Sequence, residues 1–387
     1  MKIKAKDSCY IANTYARFPV TLRSGKGSIV FDDEGKEYID LGTGIAVNTF
    51  GIADSLWAKA VTEQLNTLQH TSNLYYSEPC ILLAEELCLR TEMKKVFFSN
   101  SGAEANECAI KVARKYASDK KGSDCYKIIT LKNSFHGRTI TTLAATGQEV
   151  FHNDFLPLTD GFLYVEANNT AELENVVKNE KIAAIMFESV QGEGGVVPLS
   201  KEFVDKIFEL SEKYDILTIA DEVQTGNGRT GKLYGFMNFG VCPDIVSTAK
   251  GLGGGLPIGA TIMGEKVKDV LTPSSHGSTF GGNPAVCAGA LSILKRIDGK
   301  LLDEVKQKSD YIVNTLKEAK GVKSVSGMGL MLGIETEKDA GEVIAKCMEK
   351  GVLVIKAKNK VRLLPALNIP MEQLEKAIKT IIEVLGE

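Results

Sequence analysis

The sequence predicts an α/β fold, a mostly parallel central sheet with flanking helices plus a smaller α+β domain built from both termini. Three observations carry that expectation. Several short apolar runs are continuous rather than alternating, which suits strands buried on both faces. Helical apolar stripes lie between many of these runs, the alternation of an α/β sandwich. The two ends of the chain differ from the middle, mixing a hairpin pattern, short strands and helices.

The apolar runs are Lys95–Phe98, Lys127–Leu131, Ala183–Phe187, Ile216–Ala220, Asp244–Thr248 and Gly259–Met263. Between Ala103 and Tyr116, residues Ala105, Cys108, Ala109, Val112, Ala113 and Tyr116 form one stripe at helical spacing. Lys201–Tyr214 repeats the pattern with Phe203, Ile207, Phe208 and Leu210. Gly27–Leu41 reads as a hairpin turning at Asp33-Glu-Gly35, and Leu301–Lys320, Asp339–Lys350 and Met371–Leu385 read as helices. Met331–Glu335 and Val352–Ile355 read as short strands. At 387 residues the chain exceeds the usual single-domain size. The expected division is a large domain over residues 50–280 and a small one from 1–49 and 281–387.

Composition narrows the function classes. Hydrophobic residues make up 44% and charged residues 25%, the balance of a soluble globular protein. The net charge of −3, with no basic tract, argues against nucleic acid or an anionic membrane as partner. Eight scattered cysteines lack C-x-x-C spacing, and four histidines lack H-x-x-x-H spacing, so neither a disulfide framework nor a metal centre is expected. Met1–Ser8 lacks the apolar core of a signal peptide, and no run approaches membrane-spanning length. A cytoplasmic setting is the expectation.

Candidate chemistry gathers where the predicted strands end. Ser99-Asn-Ser101-Gly102-Ala103-Glu104 comes after a strand and opens a helix. Such a helix start offers free N–H groups to a phosphate, and it also reads as a plain cap with Ser101 at N-cap and Glu104 at N3. Phe135-His136-Gly137-Arg138 pairs a ring that could stack on a cofactor with a guanidinium that could grip a carboxylate; a core aromatic beside a surface arginine is the alternative. His136 reads as a hydrogen-bonded packing residue. Glu193, in the glycine-rich stretch after Glu188, could be a movable counter-charge or part of a solvated loop. Asp221 and Lys250 each close a strand. A lysine so placed can form a Schiff base, and a carboxylate beside it can keep a pyridine nitrogen protonated. Ser278 and Thr279 supply hydroxyls in a turn-rich loop, and Arg362 comes after a strand-like segment as a second carboxylate candidate. Gly226–Gly231 matches G-x-G-x-x-G, but Lys232–Gly240 directly after it makes a poor helix, and Asp244 comes too early for a dinucleotide fingerprint.

Taken in order, Thr14–Val20, Gly44–Asn48, Phe98–Ala105, Phe135–Thr139, Gln191–Gly195, Asp221–Gly226, Lys250-Gly and Ser278–Pro284 resemble the motifs of the class III aminotransferases, of pyridoxal 5'-phosphate (PLP) fold type I. The resemblance covers nearly the whole chain. It implies that Lys250 forms the imine with the cofactor and moves the proton, while Asp221 pairs with the pyridine nitrogen. Gln224 would contact the ring hydroxyl and Phe135 stack on the ring. Ser101, Gly102 and Ala103, with Thr279 from a partner subunit, would hold the phosphate. Arg138 and Ser278 would bind a substrate carboxylate. Arg362 would take that of 2-oxoglutarate, and Glu193 would pair with Arg362 when the amino donor is bound. The implied donor is N2-acetylornithine, with ornithine, succinylornithine or 4-aminobutyrate as alternatives and an aminomutase as a further one. A homodimer is implied as well. Two departures stand out. Gly51-Ile-Ala-Asp-Ser-Leu-Trp57 replaces the family's G-H-x-H-P stretch, and Ala366 replaces a common proline.

Overall fold

The computed structural model describes residues 3–387; residues 1 and 2 of the predicted small domain lie outside the described residues. Seven strands form the central sheet, in the order Lys95–Ser99, Gly259–Met263, Ile245–Thr248, Leu217–Asp221, Ile182–Phe187, Lys127–Leu131, Phe162–Val165. All run in one direction except Gly259–Met263, which is antiparallel to both neighbours. Its reversal has a simple cause. The link back from Thr248 contains only a short 3-10 turn, and a parallel return needs a crossover of a dozen or more residues.

The continuous apolar runs are explained by burial on both faces. Ile182–Phe187, Leu217–Asp221 and Ile245–Thr248 are buried at every position. Ala184, Met186, Leu217 and Ile219 pack with Cys108, Ala109 and Val112 of the helix Gly102–Lys121. Ile185, Phe187 and Ala220 pack into the cluster that holds Phe203, Ile207 and Leu210 of the helix Lys201–Tyr214. Small residues on the first helix bring its axis close to the sheet, which fixes where its N-terminus arrives.

A four-stranded sheet takes Leu22–Lys26, Ile29–Asp32 and Glu37–Asp40 from one end of the chain and Val352–Leu353 from the other. In the predicted hairpin, Asp32 Oδ1 accepts from Glu34 and Lys36 N–H, and Gly35 supplies the left-handed φ of +82° that closes the turn. A second four-stranded sheet, in the order Val322–Met328, Met331–Thr336, Lys360–Leu363, Ile355–Ala357, carries Arg362. The expected single strand Val352–Ile355 is two, because the chain leaves one sheet for the other at Val354. Among the described residues, no helix is long and apolar enough to cross a membrane.

The Gly226–Gly231 stretch is a turn that opens no helix. Its Arg229 is buried and donates to the carbonyls of Leu330 and Pro365, at one end of the antiparallel pair formed by the Arg362 strand and Met331–Thr336. Burial pushes this guanidinium down to about 9. The segment is a structural clasp and no dinucleotide fingerprint.

Candidate active site

Because Lys95–Ser99, Lys127–Leu131, Ile182–Phe187, Leu217–Asp221 and Ile245–Thr248 share one direction, their C-terminal ends open on the same edge of the sheet. A cavity of about 480 Å³ lies there, lined by Ser101, Gly102, Ala103, Phe135, Arg138, Asp221, Gln224 and Lys250 among others. Eight of the twelve predicted site residues thus meet at one chamber.

At one end stands the start of the helix Gly102–Lys121. Ser101 is its N-cap and its Oγ accepts from Glu104 N–H at 3.2 Å, while Glu104 reaches back to Asn100 N–H at 2.6 Å. The cap expected from the sequence is therefore present. It still leaves the N–H groups of Gly102 and Ala103 without partners in the helix, which with the helix dipole suits an anion. A Cβ on Gly102 would lie 2.6 Å from Val223 Cγ1, so only glycine lets the helix start approach the Asp221 loop this closely.

Asp221 is buried at the foot of the chamber. Its Oδ2 accepts from His136 Nδ1–H at 2.7 Å and Asn106 Nδ2–H at 2.8 Å, and its Oδ1 accepts from Val223 N–H at 3.0 Å. His136 packs as expected, but its packing partner is the site carboxylate itself. Asn106 was not anticipated. The available signal was a polar side chain beside the apolar stripe of an otherwise well-patterned helix.

Lys250 sits in a short 3-10 turn with a left-handed φ of +45°. Desolvation pushes its amine below the ordinary lysine value, Glu193 opposes, and the positive charge of Arg362 adds to the lowering. More of the amine is then free to act as nucleophile or base.

Glu188 is a second residue the sequence did not single out. Its Oε1 accepts from Phe135 N–H at 3.0 Å and its Oε2 from Gly192 N–H at 3.2 Å, so one carboxyl ties the loop of the stacking ring to the loop of Glu193. Burial pushes this carboxyl up to about 7, with Asp221 acting in the same direction and His136 and the two N–H groups opposing. The folded protein therefore holds this proton more tightly than the unfolded chain. The stability it contributes is complete below about pH 4.5 and is lost as pH rises through about 7. Glu188→Gln removes that dependence. The stability difference between parent and variant should shift by up to about 3 kcal/mol against the parent from pH 4.5 to 8, read from denaturant unfolding at each pH. A difference that stays flat with pH would contradict the assignment.

Beyond Gln224 lies the Arg362–Glu193 pair. Arg362 stands within the strand Lys360–Leu363 rather than after it, and is only 2% exposed. Its Nη1 donates to Glu193 Oε1 at 2.6 Å, to Gln224 Oε1 at 2.9 Å and to the Gly192 carbonyl at 3.0 Å. Burial would raise the Glu193 carboxyl, but Arg362, joined by Lys250 and Gln224, more than offsets it and holds the group below its usual range.

Arg138 is exposed, its guanidinium 4.0 Å over the Phe151 ring and 5.5 Å from that of Phe135. Ring faces hold its plane, which leaves its N–H edges for a carboxylate. Ser278 and Thr279 are not brought to the chamber of their own chain. They line a separate depression with His276, Glu104 and Lys111, which meets the chamber only at Asn100. Ser278 Oγ accepts from Gly281 N–H and Asn100 Nδ2–H.

The donor set fits PLP. N–H groups for a phosphate stand at a helix start, a carboxylate for a pyridine nitrogen at a strand end, and a ring (Phe135), an apolar side chain (Val223) and a lowered amine also line the chamber.

Comparison with known proteins agrees with this chemistry. Residues 10–385 match the family model described as aminotransferase class-III. The acetylornithine aminotransferase of Haemophilus ducreyi is 48% identical over 388 residues, covering 100% of this chain and 99% of that protein. That of Caldanaerobacter subterraneus subsp. tengcongensis is 47% identical, covering 98% of each. Among solved structures, the ornithine aminotransferase of Toxoplasma gondii superposes with a TM-score of 0.95 at 32% identity, over 99% of this chain and 94% of that one. The N-acetylornithine aminotransferase of Stenotrophomonas maltophilia does so with a TM-score of 0.86 at 35% identity, over 99% and 98%.

Proposed function

The chain belongs to the class-III aminotransferases, a PLP-dependent family, and from that membership we propose that it moves the terminal amino group of N2-acetylornithine to 2-oxoglutarate. The products are N-acetylglutamate 5-semialdehyde and glutamate, a step of arginine biosynthesis. The near-full-length likeness to acetylornithine aminotransferases supports the donor. The observation that carries the two-substrate reaction is the Arg362–Glu193 pair. With Glu193 in place the guanidinium is neutralised and suits a donor presenting no carboxylate at that end. With Glu193 withdrawn, Arg362 is free to grip a dicarboxylate acceptor by both N–H edges.

In this reading Gly102 and Ala103 N–H, with the Ser101 hydroxyl, hold the phosphate of PLP. Asp221 holds a proton on the ring nitrogen, and the donors from His136, Asn106 and Val223 keep that carboxylate aimed. Gln224 contacts the ring hydroxyl and Phe135 covers a ring face. When bound, PLP supplies an aldehyde that takes up amino groups and an electron-poor ring that accepts negative charge. Lys250 Nζ removes a proton from the carbon bearing the donor's terminal amine and later returns one. Arg138 fixes the donor by its remote carboxylate. Water supplies the aldehyde oxygen of the first product, and the keto oxygen of 2-oxoglutarate leaves as water, so the exchange needs no outside oxidant.

The same proposal includes a homodimer in which Thr279 and Ser278 reach the partner's site. Both lie outside their own chamber. Phe280, next in sequence, is 61% exposed, and Leu74 and Tyr76, in a segment that touches this loop, are 87% and 97% exposed. Asn73, in the same segment as Leu74, donates to the Ser278 and Gly281 carbonyls. A cytoplasmic setting belongs to the proposal too, supported by eight free cysteines.

Single-turnover mixing tests the donor. PLP-loaded protein should lose its visible imine absorbance faster with N-acetylornithine than with ornithine or 4-aminobutyrate, and regain it with 2-oxoglutarate. A preference for either other donor would keep the reaction and overturn the substrate.

A further inference from the structure

The segment Gly51–Trp57, where the family's histidines and proline are missing, is held by contacts of its own. Asp54 caps the helix Ser55–Thr67, its Oδ1 accepting from Trp57 N–H at 2.7 Å. The other oxygen of Asp54 pairs with Arg296 Nη1 at 2.7 Å, and the Arg296 guanidinium lies 4.0 Å over the Phe50 ring. These contacts lock the first turn of the helix, and with it the indole of Trp57, the chain's one tryptophan.

That indole meets the lysine loop. Trp57 Nε1–H donates to the Gly253 carbonyl at 3.0 Å. A Cβ on Gly254 would come 3.3 Å from the indole Cδ1, and one on Gly255 3.9 Å from its six-membered ring. Gly255 lines the chamber beside Lys250. Gly254 and Gly255 have φ of +58° and +127°, conformations that glycine adopts freely and leaves just as freely, whereas Lys250 at +45° stands where a residue with a side chain must be held. Gly253–Gly255 has no side chains with which to hold itself. Its carbonyl at Gly253 accepts from Leu256 N–H at 3.2 Å within the turn, and from the indole N–H of Trp57 in the helix packed against it.

We propose that Trp57 is a positioning residue: its indole N–H, clamped on the Gly253 carbonyl, holds the glycine loop that presents Lys250 to the cofactor. The inference rests on the assignment of Lys250 as the imine-forming lysine, and the two fail in different ways. If the unmodified protein, stripped of cofactor and reloaded with PLP, gives no visible imine band that borohydride fixes on Lys250, the assignment of Lys250 fails. If it does give that band, Trp57 is tested alone.

Two replacements remove the N–H. Trp57→Phe also removes ring volume. Benzothienylalanine, placed at position 57 by stop-codon suppression, keeps the bicyclic shape and changes only N–H to sulfur, so it decides the matter should Trp57→Phe fail to fold. Val61→Ala is the control, because Val61 packs on the same Gly289 face of the neighbouring helix and has no side-chain N–H to give the loop. The readouts are the rate of imine formation on adding PLP and the pH midpoint of the visible band. Both N–H-free proteins should form the imine roughly tenfold more slowly, the size of one lost hydrogen bond to a carbonyl that keeps only its Leu256 partner, with a displaced midpoint. Val61→Ala should lose thermal stability and match the parent in both readouts. Benzothienylalanine protein that loads and titrates like the parent would overturn the proposal. So would a Val61→Ala protein that shifts both readouts as far as the Trp57 replacements do.

Discussion

Lys250→Ala is expected to lower turnover by at least about ten-thousand-fold while the protein still folds and still binds PLP. Two losses combine. The variant has no amine to form the imine that primes exchange with the donor, and no base at the reacting carbon. Binding survives because the phosphate donors at Gly102 and Ala103, the Asp221 carboxylate and the Phe135 ring are all held without help from Lys250. Asp221 is fixed by His136, Asn106 and Val223 N–H. The check is a steady-state assay with N-acetylornithine and 2-oxoglutarate, beside an absorbance titration with PLP. A variant within tenfold of parent turnover would remove Lys250 from the chemistry. A small primary amine added to the assay should restore part of the lost rate, since what is missing is a base of the right size at an otherwise intact site.

Much of this site was legible in the sequence, and the boundary of legibility has a physical origin. Lys250, Asp221, Phe135 and Ser101 were visible because each couples a reactive side chain to a strand end, and in a mostly parallel sheet strand ends converge. What the pattern did not show was which side chains meet. His136 and Asp221 are 85 positions apart, and nothing in either local stretch announces a 2.7 Å contact. Glu188 looked like part of a loop because its two acceptor bonds go to backbone N–H groups, which leave no trace in composition. The reversed strand Gly259–Met263 is the fold-level counterpart. A continuous apolar run reports burial on both faces and is silent on direction, which the short link from Thr248 decides. The edge strand Phe162–Val165 went unnoticed although Phe-Leu-Tyr-Val is as continuously apolar as the runs that were read; at the sheet edge only Val165 is fully buried.

Asp221→Asn is the sharper test of how the buried carboxylate works, because the substitution keeps shape and removes charge. An amide cannot satisfy its surroundings here. With its nitrogen in the Oδ2 position it sets N–H against His136 Nδ1–H and Asn106 Nδ2–H; turned over, it sets N–H against Val223 N–H. The variant should therefore lose stability by roughly 1–3 kcal/mol from mismatched donors alone. The catalytic loss should be larger and separable. Without a negative charge beside it the ring nitrogen no longer keeps its proton, the ring accepts charge poorly, and proton removal by Lys250 slows by about a hundredfold to ten-thousandfold. Imine formation with Lys250 needs no such charge acceptance and should be nearly spared. Stopped-flow mixing distinguishes the two steps. Donor binding at near-parent rates and then a slow loss of absorbance places the effect on proton transfer, where Asp221 acts through the ring. A variant that exchanges donor slowly and transfers the proton normally would mean that Asp221 holds the cofactor's position and leaves its electronic character to other groups. The geometry argues for the first outcome, since three hydrogen bonds from the protein fix the Asp221 side chain without help from the cofactor.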